Sequence, residues 1–467
     1  MKQSSCCQVA AIAAMLALSS TATAMSTSDN QLENSANTAP FSKELIAQIN
    51  ESVASDSARL IEIYKDLHRH PEIGYTEVRT ASIVSQQLRE LGFVVTEGIA
   101  KTGVVGVLKN GEGPTVWYRA DMDALQVREA TGLEYAANTK QKLADGREID
   151  VMHACGHDAH VTWLLGVAKV MSSIKPMWSG TLVVYAQPAE EPGTGAQSMV
   201  DDGLWLRDFP KPNYAFGAHV VPGPTGVVAS APGVRMAGTD QLDITFYGIG
   251  GHGSTPELAL DPVVMAAQAV LAYQTIISRN IDPQKPAVLT VGAIEAGRDN
   301  NVIPESAVLR LNLRWFSHEV RDLLLRRIDE VNRGIAIASG VPEDRLPTRV
   351  MKGNADAVVN DAKLMEKVTP ALRQLLGEDK VISNFPSAMG SEDFAEAFKG
   401  MNVPYAYQFI GIAPPDLFAK ARKEGKSFPY GLHNPDFIVD LDAIPVGVKV
   451  NAATILSVLA KAKTETE

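Results

Sequence analysis

The stretch DQLDITFYG, residues 240–248, is where the rhythm of the chain changes. Alternating apolar residues make it a strand facing a core on one side. It is succeeded by a helix pattern in DPVVMAAQAVLAYQTIISRN, two strand patterns in AVLTVGAIEAG and SAVLRLNLRWF, a second helix in HEVRDLLLRRIDEVNRGIAIAS and a last strand in PTRVMKG. Strand, helix, strand, strand, helix, strand is the split βαβ order of a ferredoxin-like α+β sandwich. Residues 237–352 are therefore expected to form an inserted domain.

Upstream, a helix is expected over about Lys43 to Arg69, ending at HPEIG where Pro71 and Gly74 break it. Helices near 77–91 and 158–173 then alternate with strands near 103–108 and 114–119, GTLVVYAQ and YAFGAHV. This alternation fits a two-domain α/β protein whose larger domain has a largely parallel sheet. That domain is expected to span 43–236, to resume over 353–467 with AKLMEKVTPALRQLL, and to close on a helix from Ile444 to Ala462.

The first residues read differently. Lys2, an apolar run from Val9 to Leu18 and the small residues Ala22, Thr23 and Ala24 have the layout of a cleavable secretory signal over 1–24. The apolar run is shorter than the roughly 20 residues a membrane span needs, so no stable membrane association is expected. Residues 25–42 read as a flexible polar leader, and the mature protein as secreted or periplasmic. The net charge of −11 argues against nucleic acid as a partner, because phosphate binding draws on basic clusters. The basic RDLLLRR at 321–327 has leucines at helical spacing and reads as a solvated helix face.

Of three cysteines, Cys6 and Cys7 lie in the expected signal and only Cys155 would survive its removal. Cys155 sits in VMHACGHDAH, residues 151–160, which holds three of the nine histidines. A lone thiol cannot close a disulfide within the chain, which leaves a nucleophile, a metal ligand or a structural loop. In open α/β sheets, polar residues just beyond the strands' carboxyl ends are the informative ones. RADMDAL, Glu190 and Glu191 after TLVVYAQP, and His219 after NYAFG occupy such places, and His433 in GLHNP belongs to the returning part of the same domain. Thiolate, imidazole and carboxylate converging on one crevice describe a transition-metal site. Adjacent glutamates on a loop can divide the work, one binding metal and the other moving a proton for amide hydrolysis.

These residues carry a resemblance. LHRHPEIGYTEVRTA, RADMDALQVRE, MHACGHDAH, QPAEEPGTGA, GGHGSTP with DPV, NVIPESA, MGSEDFA and LHNPDF run in order from about residue 64 to 437. In these motifs the chain resembles metal-dependent amidohydrolases of the aminoacylase and carboxypeptidase clan, in the branch with hippurate hydrolases and indole-acetyl-amino-acid hydrolases. The resemblance implies that Cys155, His157, Glu191, His219 and His433 hold two divalent ions, manganese or zinc, with Cys155 as the bridging thiolate and Glu190 as general base and acid. It also implies that Asn301 and Arg314 hold the carboxylate of the amino-acid portion, and that His252 polarises the scissile carbonyl, commonly in the partner subunit of a homodimer. Two departures fall on the inserted domain: Ile249 stands where relatives often have lysine, and Arg298 and Asp299 where small residues are usual.

The implied activity is hydrolysis of an N-acyl amino acid or small peptide with a free carboxylate. A dipeptidase or carboxypeptidase is the alternative enzyme, and an inactive metal- or peptide-binding protein the alternative of another class. The last would be expected to lose Glu190, which is present. His68, His70, His153, His160 and His318 are read as structural, with His153 and His160 at most supporting the ligands. One of Asp121 and Asp123 is expected to orient a ligand histidine.

Overall fold

The structure, a computed structural model, describes residues 40–461. The expected signal segment and residues 25–39 of the expected leader lie outside the described residues. Among those described, no helix is long and apolar enough to cross a membrane.

An eight-stranded sheet forms the larger layer. Its order in space is Val94–Ile99, Gly103–Asn110, Gly180–Gln187, Thr115–Asp121, Tyr214–Pro224, Tyr405–Ala413, Val228–Ala229 and Val381–Ile382. The four central strands run parallel, and the antiparallel pairs lie toward the flanks. Such a sheet is buried on both faces, which is why its central strands are nearly continuous apolar runs. On Thr115–Asp121, Val116, Tyr118 and Ala120 enter the core under helices Lys43–Arg69, His157–Ser173 and Ala443–Leu459. Trp117 points the other way, against Tyr185, Phe398 and Trp205.

The second layer is a four-stranded antiparallel sheet in the order Ala287–Ala296, Ser306–Trp315, Gly238–Tyr247, Thr348–Ala355. That is the split-βαβ order expected from the chain. Leu242, Ile244, Phe246, Leu309, Leu311 and Leu313 face helices Pro262–Asn280 and His318–Ala338. Asp261 caps the first helix through Val263 N and Ser317 the second through Val320 N, so each starts where its polar cap stands before the apolar period. Because strand side chains alternate, Thr239, Gln241, Asn312 and Arg314 lie on the sheet face away from those helices.

Candidate metal centre

The loop Val151–Gly156 leads into helix His157–Ser173, and Gly156 makes the turn with φ 78°. A Cβ there would come within 2.7 Å of Val220, so close packing of loop on strand requires glycine. Glu190 and Glu191 follow the strand Gly180–Gln187, His219 lies within Tyr214–Pro224, and His433 occupies a left-handed position with φ 65°. The His433 amide donates to Ala154 O at 2.8 Å, joining a distant segment to the cysteine loop.

The donors converge around Cys155. Its sulfur is 3.5 Å from His219 Nε2 and 3.3 Å from His433 Nε2. Glu191 Oε1 lies 3.5 Å from His433 Nε2 and 3.9 Å from His157 Nε2. Two triples, Cys155 with His157 and His219, and Cys155 with Glu191 and His433, each bring one ligand atom per residue within 4.8 Å of the others. The thiol belongs to both. Glu190 instead groups with Glu392 and Asp393, and also with His157 and Glu191.

A buried framework fixes the two glutamates. Asp123 Oδ1 and Oδ2 accept the amides of Glu190 and Glu191, each at 3.0 Å, and Glu77 Oε1 accepts that of Ala189 at 2.9 Å. Ala189 has φ 51°, a left-handed conformation costly for a residue with a Cβ, and these bonds hold it there. His219 Nδ1 donates to Val220 O at 2.7 Å, which leaves Nε2 with its lone pair toward the thiol.

The charges of this cluster suit cations. Burial, then Glu191 and Glu190, push the Cys155 thiol far above its ordinary range, so its thiolate needs a nearby positive charge. Burial raises Glu191 to about 7. It lowers His219 to about 3, favouring the neutral imidazole that ligates metals. Burial works against a charge on His157, yet Asp121 and Asp123 outweigh it and raise that group to about 10. His157 Nδ1 is 3.3 Å from Asp123 Oδ1 but outside hydrogen-bonding geometry, so the attraction is Coulombic. Among the described residues, both ring nitrogens of His157 and Oε1 of Glu191 are buried without a hydrogen-bond partner. Orphaned buried donors and acceptors of this kind, around a thiol shared by two triples, fit divalent ions.

The other expected site residues divide. Arg314 lines the same cavity, of about 570 Å³, donates from Nε to Asn312 Oδ1 at 2.8 Å, and keeps Nη1 buried and without a partner among the described residues. His252 and Asn301 do not line that cavity. They are exposed on a two-stranded ribbon where Gly253 N donates to Asn301 O, and His252 Nδ1 pairs with Ser254. His160 has both nitrogens engaged, Nδ1 with Asp121 Oδ1 at 2.6 Å and Nε2 accepting from Val220 N at 3.0 Å, and so serves as a support.

Sequence reasoning missed the layer behind Glu190. Arg119, fully buried, donates to Asp121 at 2.7 Å, Glu392 at 3.0 Å, Asp393 at 3.1 Å and Gln187 at 3.1 Å. RADMDAL and MGSEDFA carry those residues, but nothing in either motif says that the two meet. His68, read as the end of a helix, lies buried between Asp158 at 2.7 Å and Glu129 at 3.2 Å.

Fold and donor set define a metal-dependent hydrolase of amide or peptide bonds. The chain belongs to peptidase family M20/M25/M40, whose model matches residues 117–457. It is similar to the hippurate hydrolase of Campylobacter jejuni, 38% identical over 347 residues, 74% of this chain and 86% of that protein. A similar relative is thermostable carboxypeptidase 1 of Saccharolobus solfataricus, 32% identical over 88% of this chain and 98% of that one. Among solved structures, a dinuclear metal-binding M20 peptidase of Bacillus subtilis superposes with a TM-score of 0.69 at 26% identity, covering 86% of this chain and 99% of its own.

Proposed function

We propose that the protein is an exported amidohydrolase that cleaves N-acyl amino acids with a free carboxylate. Cys155, His157, Glu191, His219 and His433 would hold two divalent ions, manganese or zinc. Bound ions supply Lewis acidity, which lowers the pKa of a water from 15.7 to about 7 and polarises a carbonyl. Glu190 takes the proton from the attacking water and delivers it to the leaving amine. Burial, Glu392 and Asp393 raise its affinity for a proton, the property a carrier needs. Arg314 binds the carboxylate, and His252 completes the site from the partner subunit of a homodimer, since within one chain it stands outside the cavity.

The observation that carries the reading is one cavity lined by Cys155, Glu190, Glu191, His219, His433 and Arg314. The ion-binding residues are acidic, and the same cavity is lined by an arginine whose Nη1 has no partner among the described residues. A carboxypeptidase would use the same groups, and the Saccharolobus relative keeps that alternative open. The discriminating experiment loads stripped protein with manganese or zinc and offers N-acetyl, N-benzoyl and indole-acetyl amino acids, their C-terminal amides, and dipeptides. Hydrolysis of the N-acyl acids over amides and dipeptides is expected. Equal rates on acid and amide would contradict the carboxylate clamp, and preference for dipeptides would favour the peptidase reading.

A further inference from the structure

The strand Thr348–Ala355 is not regular. Gln241 pairs with Gly353 and Leu242 with Met351, so Lys352 is an extra residue with no partner across the pair. A bulge of this kind re-aims the side chain it inserts. Here it sends Lys352 to the helix-free face of the small sheet, where Lys352 lines the cavity of the metal centre together with Arg314, Gln241 and Asn354. The same lysine and Gln241 also line an adjoining groove with Asp243, Arg310 and Asn312, so cavity and groove share residues on this face.

Two cations from the small sheet thus line a cavity that Glu190, Glu191, Glu392 and Asp393 also line. The charge of Lys352 is loosely matched within the chain: its ion pair is with Asp243 at 4.0 Å, and the lysine side chain is 56% exposed. An exposed contact at that distance contributes little. One carboxylate, that of the amino-acid portion of the substrate, accounts for Arg314. It leaves Lys352, whose partner among the described residues is the exposed 4.0 Å contact with Asp243, and the amides of Gln241 and Asn354 for a second group.

We infer that Lys352 is a specificity-determining residue, and that the bulge builds a second anion subsite for the side chain of an acidic leaving amino acid. The preferred substrates are then N-acyl aspartate or glutamate. Arg314 holds the α-carboxylate, and Lys352 holds the side-chain carboxylate over the adjoining groove. This inference rests on the N-acyl amino acid reading of the site.

The test compares kcat/KM of metal-loaded protein on N-acetylglutamate, N-acetylaspartate, N-acetylleucine and N-acetyllysine, for wild type, Lys352→Met and Lys352→Glu. Wild type should favour the acidic substrates over N-acetylleucine, and that preference should shrink as ionic strength rises. Lys352→Met should lower the glutamate-to-leucine ratio about tenfold, mainly through KM, as expected for a partly exposed charge-assisted pair. Lys352→Glu should reverse the order and favour N-acetyllysine. Unfolding midpoints close to wild type would assign the change to binding, because Lys352 is exposed. A wild type without preference for acidic substrates, or substitutions that leave the ratio unmoved, would overturn the subsite while the N-acyl reading stands. Inactivity of wild type on every N-acetyl amino acid, neutral ones included, would overturn both.

Discussion

The two walls of the cavity are built on opposite principles. On the ion-binding wall several groups are held from behind by buried partners: Asp123 grips two successive amides, Asp121 holds His160, and Val220 O orients His219. On the small-sheet side, Arg314 and Lys352 project from a sheet surface, Arg314 with one hydrogen bond to the Asn312 amide and Lys352 with one 4.0 Å contact to Asp243. Rigid positioning suits groups that must keep ångström geometry around ions and a reacting bond. Loosely matched cations suit a surface that recognises variable substrates. Substitutions on the first wall should therefore act on chemistry and folding, and those on the second on affinity.

The largest effect is expected at Glu190. Glu190→Gln keeps shape and the amide grip of Asp123 but removes the proton carrier, so turnover should fall about 10³- to 10⁴-fold with metal content near wild type. Elemental analysis beside steady-state kinetics checks this. Loss of ions would mean that Glu190 and Glu191 exchange roles.

Next comes the support behind the chemistry. Arg119→Met strands Asp121, Glu392 and Asp393 as buried carboxylates without their cation. Breaking a buried ion network from one side costs about 3–5 kcal/mol, which a denaturant midpoint with unchanged slope would report. A shift below about 1 kcal/mol would show that the ion-binding wall is less tightly built than the hydrogen bonds indicate.

On the small-sheet side, Arg314→Ala should raise KM for N-acyl amino acids roughly ten- to a hundredfold, from loss of about 1.5–3 kcal/mol of charge-assisted binding. Stability should hardly move, because the guanidinium makes one hydrogen bond among the described residues. Should turnover fall while KM stays fixed, the contrast between the walls would fail, and Arg314 would belong with the chemistry.

Legibility in the sequence divides along the same line. The helix Lys43–Arg69 has the expected limits because a cap residue, Ser42, stands before its apolar period. Cys155, His157, Glu191, His219 and His433 meet in space as expected: Cys155 and His157 lie at the start of helix His157–Ser173, Glu191 just past strand Gly180–Gln187 and His219 on strand Tyr214–Pro224, while the His433 amide ties its irregular segment to Ala154 O. The backing network was not legible. Arg119 and Glu392 are 273 residues apart, and only the pairing of Thr115–Asp121 and Tyr405–Ala413 with Tyr214–Pro224 brings their segments to one place. His68 and Asp158 meet across 90 residues by helix packing, which local spacing cannot encode. Lys352 was hidden for another reason. PTRVMKG reads as a regular strand, and a bulge exists only relative to a partner whose register the sequence does not state.

The central claim is that one thiolate serves two ions, and the metal content of Cys155→Ser measures it most directly. With manganese or zinc in excess followed by gel filtration, wild type should retain two ions per chain and Cys155→Ser fewer than one, because serine is a weaker ligand in both triples at once. Retention of two ions by Cys155→Ser would contradict the claim and return Cys155 to a structural or nucleophilic role.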